Sequence, residues 1–158
     1  MKTAIIFRSK HGTTETVSHT IASKLGTDEV TLIDLKKYPE PTIQDFDRII
    51  IGGSIHAGTV QKRVKNFCEK HLDALRQKEL GLFICCMDRE KEQEEFENAF
   101  PETLKSHAKV MGIMGGEFIF ERMNFMERFI VKKISKKDRS VSEIDHEAID
   151  SFVSHMQA

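Results

Sequence analysis

The sequence predicts an α/β fold, a doubly wound, five-stranded parallel sheet with helices on both faces. Three observations carry this expectation. Short apolar runs such as Ala4 to Phe7, Ile49-Ile50-Ile51 and Leu80 to Met87 have the composition of strands buried on both sides. Segments with apolar residues at helical spacing stand between them. Right-handed crossovers between parallel strands then place those helices on both faces.

The first strand, Lys2 to Phe7, ends in a cluster of hydroxyl and glycine residues. From Thr13 to Leu25, Val17, Ile21, Ala22 and Leu25 share one helical face, and Gly26 supplies a stop. Glu29 to Leu35 gives the second strand, Tyr38-Pro39-Glu40-Pro41 breaks the chain, and Ile43 to Phe46 allows a short helix. The third strand, Arg48 to Gly53, opens into a loop from Gly52 to Thr59. Val60 to Leu75 then sets Val64, Phe67, Cys68 and Leu72 along one face of a helix. Leu80 to Met87 is the fourth strand, followed by an acidic helical stretch that Pro101 breaks. Lys109 to Phe118 is the fifth, with Gly112, Gly115 and Gly116 marking a bulged end. Ile144 to Met156 closes the chain as a helix.

A chain of 158 residues suits one domain, and 1–158 is read as such. Lys and Arg number 24 against 25 Asp and Glu, a formal charge of −1, which excludes a nucleic-acid binder working through bulk charge. Between Lys2 and Arg8 the apolar run is too short for a signal-peptide core, and no longer run approaches a transmembrane span. Three cysteines without regular spacing point to a reducing compartment, so a cytoplasmic location is expected. Cys85 and Cys86 are adjacent on a strand and should face opposite sides as buried free thiols. The histidines lack H-x-x-x-H or H-E-x-x-H spacing, so no metal site is expected.

In doubly wound sheets ligands bind outside the carboxyl ends of the strands, which directs attention to the loops after Phe7, Ile51 and Met87. The first of these, Ser9-Lys10-His11-Gly12-Thr13-Thr14, leads into a helix N-terminus, where unpaired N–H groups and a positive dipole end favour a phosphate. Gly12 permits close approach. Thr13 or Thr14 could instead serve only as a helix cap, which would account for one hydroxyl and leave Ser9 and Gly12 unexplained. The patterns G-x-x-x-x-G-K-[ST] and G-x-G-x-x-G are absent, which removes support for nucleoside triphosphates and dinucleotides.

The stretch from Ile5 to Thr14 resembles the first loop of the flavodoxin signature, and the strand and helix order extends the likeness over nearly the whole chain. The resemblance implies a flavodoxin-like fold and FMN as cofactor, with Ser9, Lys10, His11, Gly12, Thr13 and Thr14 holding its phosphate. It also implies that the loops Gly53-Ser54-Ile55-His56-Ala57-Gly58 and Met87-Asp88-Arg89 flank the flavin ring. Ser18 stands where the family usually has Ala. Flavodoxins that act as carriers commonly stack aromatic rings on the flavin amid acidic residues; this chain has no Trp, and its one Tyr, Tyr38, lies outside both loops. The Gly-x-Ser-Ile-x-x-Gly stretch is similar to that of the flavodoxin-like protoporphyrinogen dehydrogenases, although Asp88 to Ala108 is shorter than the insertion those enzymes carry.

His56 is either a proton carrier near the reactive edge of the ring or a side chain covering it, and no other catalytic residue is named. Asp88 to Glu97 holds six acidic and two basic residues, whereas Glu121 to Arg139 holds seven basic and three acidic. Within 119–137, Ile119, Met123, Met126, Ile130 and Ile134 recur at helical spacing beside Phe120, Phe125, Phe129 and Lys132, Lys133, Lys136 and Lys137. That segment either packs on the domain or offers a surface for peripheral membrane, quinone or partner contact, at the inner face of the membrane if it meets lipid. The expected function is an FMN-dependent oxidoreductase resembling protoporphyrinogen dehydrogenase, passing electrons from a small-molecule substrate to a quinone or similar acceptor. A protein-to-protein electron carrier and an FMN-free interaction domain are the alternatives.

Overall fold

Ile5, Ile50 and Phe83 are completely buried on one side of a sheet, and Ile6, Ile51 and Leu82 are completely buried on the other. The computed structural model that shows this describes residues 1–10, 12–26, 29–56, 58–88, 90–118 and 141–158. The segment 119–137, with its expected amphipathic helix, lies outside the described residues, as do His11, Ala57 and Arg89.

Strands β1 (Lys2–Phe7), β2 (Glu29–Asp34) and β3 (Arg48–His56) are followed by β4 (Thr59–Val60), β5 (Glu79–Cys85), β6 (Val110–Ile113), β7 (Gly115–Phe118) and β8 (Val141–Ile144). Helices are α1 (Thr13–Leu25), α2 (Lys62–Lys70), α3 (Leu72–Leu75), α4 (Glu92–Ala99), α5 (Glu102–His107) and α6 (His146–Gln157). The main sheet runs β2-β1-β3-β5-β6 with every neighbour parallel, and β4 adds antiparallel to β3. The expected parallel α/β sheet is therefore present. Val17, Ile21 and Leu25 of α1 and Phe152, Val153 and Met156 of α6 cover one face. Val64, Phe67 and Cys68 of α2, with Phe96 of α4 and Leu104 of α5, cover the other. Cys85 and Cys86 belong to opposite cores, as a two-residue strand period requires, and neither is in a disulfide.

Several boundaries differ from the sequence reading. Ile43 to Phe46 is a single turn closed by the Phe46 N–H on the Ile43 carbonyl at 3.2 Å; one hydrogen bond does not repay the fixing of a helical nucleus. Gly52 to Thr59 is not an open loop, because β3 runs on to His56 and folds back so that Ile55 pairs with Val60 and His56 with Thr59. Gly58, at φ 82°, makes that reversal affordable for the backbone. Val60 is thereby drawn into a strand, and the helix expected over Val60 to Leu75 starts at Lys62 and is interrupted at His71. β5 ends at Cys85 rather than Met87. The fifth strand divides at Met114, after which Gly115, at φ 73°, turns the chain out of the parallel sheet. β7 then pairs antiparallel with β8, which claims Ile144, and α6 begins only after Asp145, whose carboxylate accepts the Ala148 N–H at 2.9 Å. Pro101 breaks the acidic stretch into α4 and α5 as expected.

At the edge opposite the carboxyl ends, buried Arg48 donates to the Met156 carbonyl at 2.9 Å and pairs with Glu79 at 3.2 Å. Lys109 joins Glu79 at 2.8 Å. These bonds tie the end of α6 to β3, β5 and the start of β6. No described helix is long and apolar enough to cross a membrane.

Candidate functional site

β1 and β3 are neighbours in the sheet, yet α1 leaves to one face and α2 to the other. In doubly wound sheets ligands bind where the chain direction switches in this way, outside the carboxyl ends of the strands. Pairing of Phe7 with Gly52 and of Ser54 with Cys85 brings the ends of β1, β3 and β5 to one edge.

In the first loop the Gly12 N–H donates to Ser9 Oγ at 2.9 Å, and Arg8 donates to the Ser9 carbonyl. Gly12 is the residue that caps α1, with φ 94°, and it provides no side-chain cap. The Thr16 N–H and hydroxyl both donate to its carbonyl at 2.9 Å. Neither Thr13 nor Thr14 caps the helix, so the capping-only alternative fails, and the N-cap residue itself supplies no side-chain acceptor to the first turn. Thr13 is buried and Thr14 completely so, while Lys10 stands exposed at the rim. Ser18, on the next turn, donates to the Thr14 carbonyl at 2.7 Å and fixes the helix start from below.

The Thr14 hydroxyl meets the Ser54 hydroxyl, which joins the first loop to the end of β3. Ser54 is itself fixed by its N–H donating to Gln61 Oε1 at 2.9 Å. Gly53 is required there, since a Cβ would come within 2.5 Å of Val60 Cγ2. Ile55 and His56 are half-buried and Gly58 is exposed. Gln61 Nε2 is a buried donor for which the described residues offer no hydrogen-bond partner.

At the end of β5, Met87 is half-buried against Gly116, where a Cβ would come within 2.9 Å of Met87 Cγ. Exposed Asp88 accepts the N–H groups of Glu90 at 3.2 Å and Lys91 at 3.3 Å, so it shapes the turn into α4. Cys86 donates its thiol proton to Glu95 at 2.6 Å, and burial, reinforced by that carboxylate, pushes its pKa up to about 12. At neutral pH such a thiol stays protonated and inert toward electrophiles.

Of the residues singled out from the sequence, Ser9, Gly12, Thr13 and Thr14 line one loop and Ser54 is bonded to it. Gln61 was not singled out. Its position reads as the start of a helix, and only the β3–β4 hairpin returns it to Ser54. Hydroxyls at Ser9, Thr13 and Thr14, the N–H groups at the start of α1 and Gln61 Nε2 make a donor set that fits a phosphate-bearing cofactor with polar ring atoms. Among the described ring-loop residues His56 is the sole aromatic side chain.

The flavodoxin domain family matches residues 4–145. Protoporphyrinogen IX dehydrogenase [quinone] of Escherichia coli (strain K12) is 22% identical over 161 residues, covering 94% of this chain and 87% of that protein. A short-chain flavodoxin associated with a non-canonical PDU bacterial microcompartment superposes with a TM-score of 0.58 at 13% identity, over 99% of this chain and 97% of that one. Rubredoxin oxygen:oxidoreductase from Desulfovibrio gigas gives 0.55 at 15% identity, over 99% of this chain but 37% of its own length.

Proposed function

This chain belongs to the flavodoxin domain family, and from that premise we propose that residues 1–158 form one FMN-binding domain that oxidises a small molecule in the manner of a protoporphyrinogen dehydrogenase and passes the electrons to a quinone or similar acceptor. The observation that carries the reading is the bond between Thr14 and Ser54, which ties a donor-rich helix start to the loop beside it at the switch point of the sheet. Ser9, Thr13, Thr14 and the first N–H groups of α1 bind the phosphate; Gly12 allows its approach, and Lys10 and His11 add charge and donors at the rim. Gly53 to Gly58 and Met87 to Arg89 flank the ring. Bound FMN supplies the redox chemistry; the protein supplies position and electrostatics. His56 either carries a proton near the reactive edge of the ring or covers the ring. The basic segment 119–137 makes the contact with quinone or a cytoplasmic membrane face.

The purified protein should show a flavin spectrum, or acquire one when FMN is added. Anaerobic reduction by porphyrinogen, quinol and NAD(P)H then assigns the donor. Reduction by none of them, with reoxidation by electron-transfer proteins alone, would favour the carrier reading, which the likeness in fold to a short-chain flavodoxin supports.

A further inference from the structure

A charged surface begins one residue beyond Gln61. Helix α2 buries Val64, Phe67 and Cys68 and turns Lys62, Arg63 and Lys70 to solvent, with Lys65 half-buried. The turn after β2 runs alongside, because Arg63 donates to the Leu35 carbonyl at 3.5 Å and Lys70 reaches Glu40 at 2.8 Å. Exposed Lys36, Lys37 and Tyr38 are thus neighbours of the helix, and Tyr38 is 62% exposed. Residues 34–40 and 61–71 carry six Lys or Arg and three Asp or Glu, in a chain whose formal charge is −1. Between turn and helix lies a groove of about 200 Å³ whose lining includes Pro39, Glu40, Arg63, Phe67, Lys70 and His71.

Glu40 demonstrates the chemistry this groove accepts. Its carboxylate sits against Lys70, and the hydrogen bond and charge of that ammonium hold its carboxyl below the ordinary range. The His71 ring lies tilted against Phe67 with centroids 4.7 Å apart, and burial, with Lys70 beside it, keeps the imidazole toward its neutral form. The groove's cations are Arg63 and Lys70, the latter already paired with Glu40. Arg63 makes one long bond to a carbonyl, and a guanidinium fork takes a carboxylate in two bonds.

We propose that this surface docks an acidic electron-transfer protein, whose carboxylates pair with Lys36, Lys37 and Arg63 and compete with Glu40 for Lys70 while Tyr38 anchors the contact. Exposed Glu69 and Glu40 would repel an anionic lipid sheet, whereas a folded partner can set cations against them. Tyr beside Arg is the composition that interface anchors favour. The redox nature of the partner rests on the function proposed above. The docking itself does not require flavin.

The probe is an acidic plant-type [2Fe–2S] ferredoxin, titrated calorimetrically into the full chain with and without FMN. Binding should weaken about tenfold or more between about 20 and 200 mM NaCl. Arg63→Glu with Lys70→Glu should lose about tenfold or more of the affinity, while Lys70→Arg, which keeps the charge and leaves the Arg63 fork in place, retains it. Lys36→Glu with Lys37→Glu, in an exposed turn, gives the same loss should the helix variant fail to fold. Failure of flavin binding alongside intact ferredoxin binding overturns the function proposed above and leaves the docking standing. Absence of salt-sensitive binding, or binding unchanged by charge reversal, overturns the docking proposal. So does tighter binding to phosphatidylserine vesicles that the same substitutions abolish, since the surface would then belong to lipid.

Discussion

The hydroxyls of Thr14 and Ser54 are hydrogen-bonded to each other across 40 residues of sequence, at the one edge where β1 and β3 send their helices to opposite faces. Each hydroxyl retains capacity for a further bond, so the pair joins the first loop to the end of β3 while remaining able to serve a ligand.

Thr14→Ala removes a completely buried hydroxyl and leaves Ser54 without this partner. FMN affinity should fall by about 1–3 kcal/mol, or about 5- to 150-fold in Kd. Flavin fluorescence titration measures it. An unchanged Kd would remove Thr14 from the phosphate-binding set.

Gln61→Leu deprives the Ser54 N–H of its acceptor. A buried N–H left unpaired costs about 1–3 kcal/mol, so urea unfolding should show a loss in that range. Gln61→Glu, which keeps an acceptor at this place, should recover most of the stability. Equal losses in both variants would show that the Ser54 bond is unimportant.

The described ring-loop residues include no Trp or Tyr, and the whole chain is nearly neutral. With less stacking and less negative charge near the ring, the second one-electron couple of bound FMN should be less negative than that of acidic carrier flavodoxins. Spectroelectrochemical titration checks this. A strongly negative second couple would favour the carrier function.

Glu79 carries a pH dependence of stability. Burial raises its pKa, but the bonds from Lys109 and the charge of Arg48 outweigh burial and hold it below its ordinary value of 4.5. A carboxyl lowered on folding stabilises the native state fully above the unfolded pKa and loses that contribution as pH falls through the folded one. Thermal melts of Glu79→Gln should therefore show a loss of about 1–2 kcal/mol at pH 7 that disappears in strong acid. A deficit that persists at pH 2 would assign the effect to packing instead.

Much of this molecule follows from local chemistry. Ile5, Ile50 and Phe83 are apolar on strands buried from both sides, so their segments announce themselves without reference to the rest of the chain. Cys85 and Cys86 face opposite cores because consecutive side chains on any strand must. The donor-rich run from Ser9 to Thr14 is equally local, since a strand, a glycine turn and a helix start are contiguous in sequence. Tertiary structure alone decided the contacts made at long range. Val60 reads as a helix start until it pairs with Ile55, and Ile144 reads likewise until it pairs with Gly115. Gln61 acquires a role only when the hairpin returns it to Ser54, and Thr14 is distinguished from a simple cap by its place inside α1, after Gly12, and by the hydroxyl it meets. Periodicity records which face of an element is apolar. It carries no information about which distant backbone or hydroxyl group will meet a polar side chain, because that depends on how the elements are stacked.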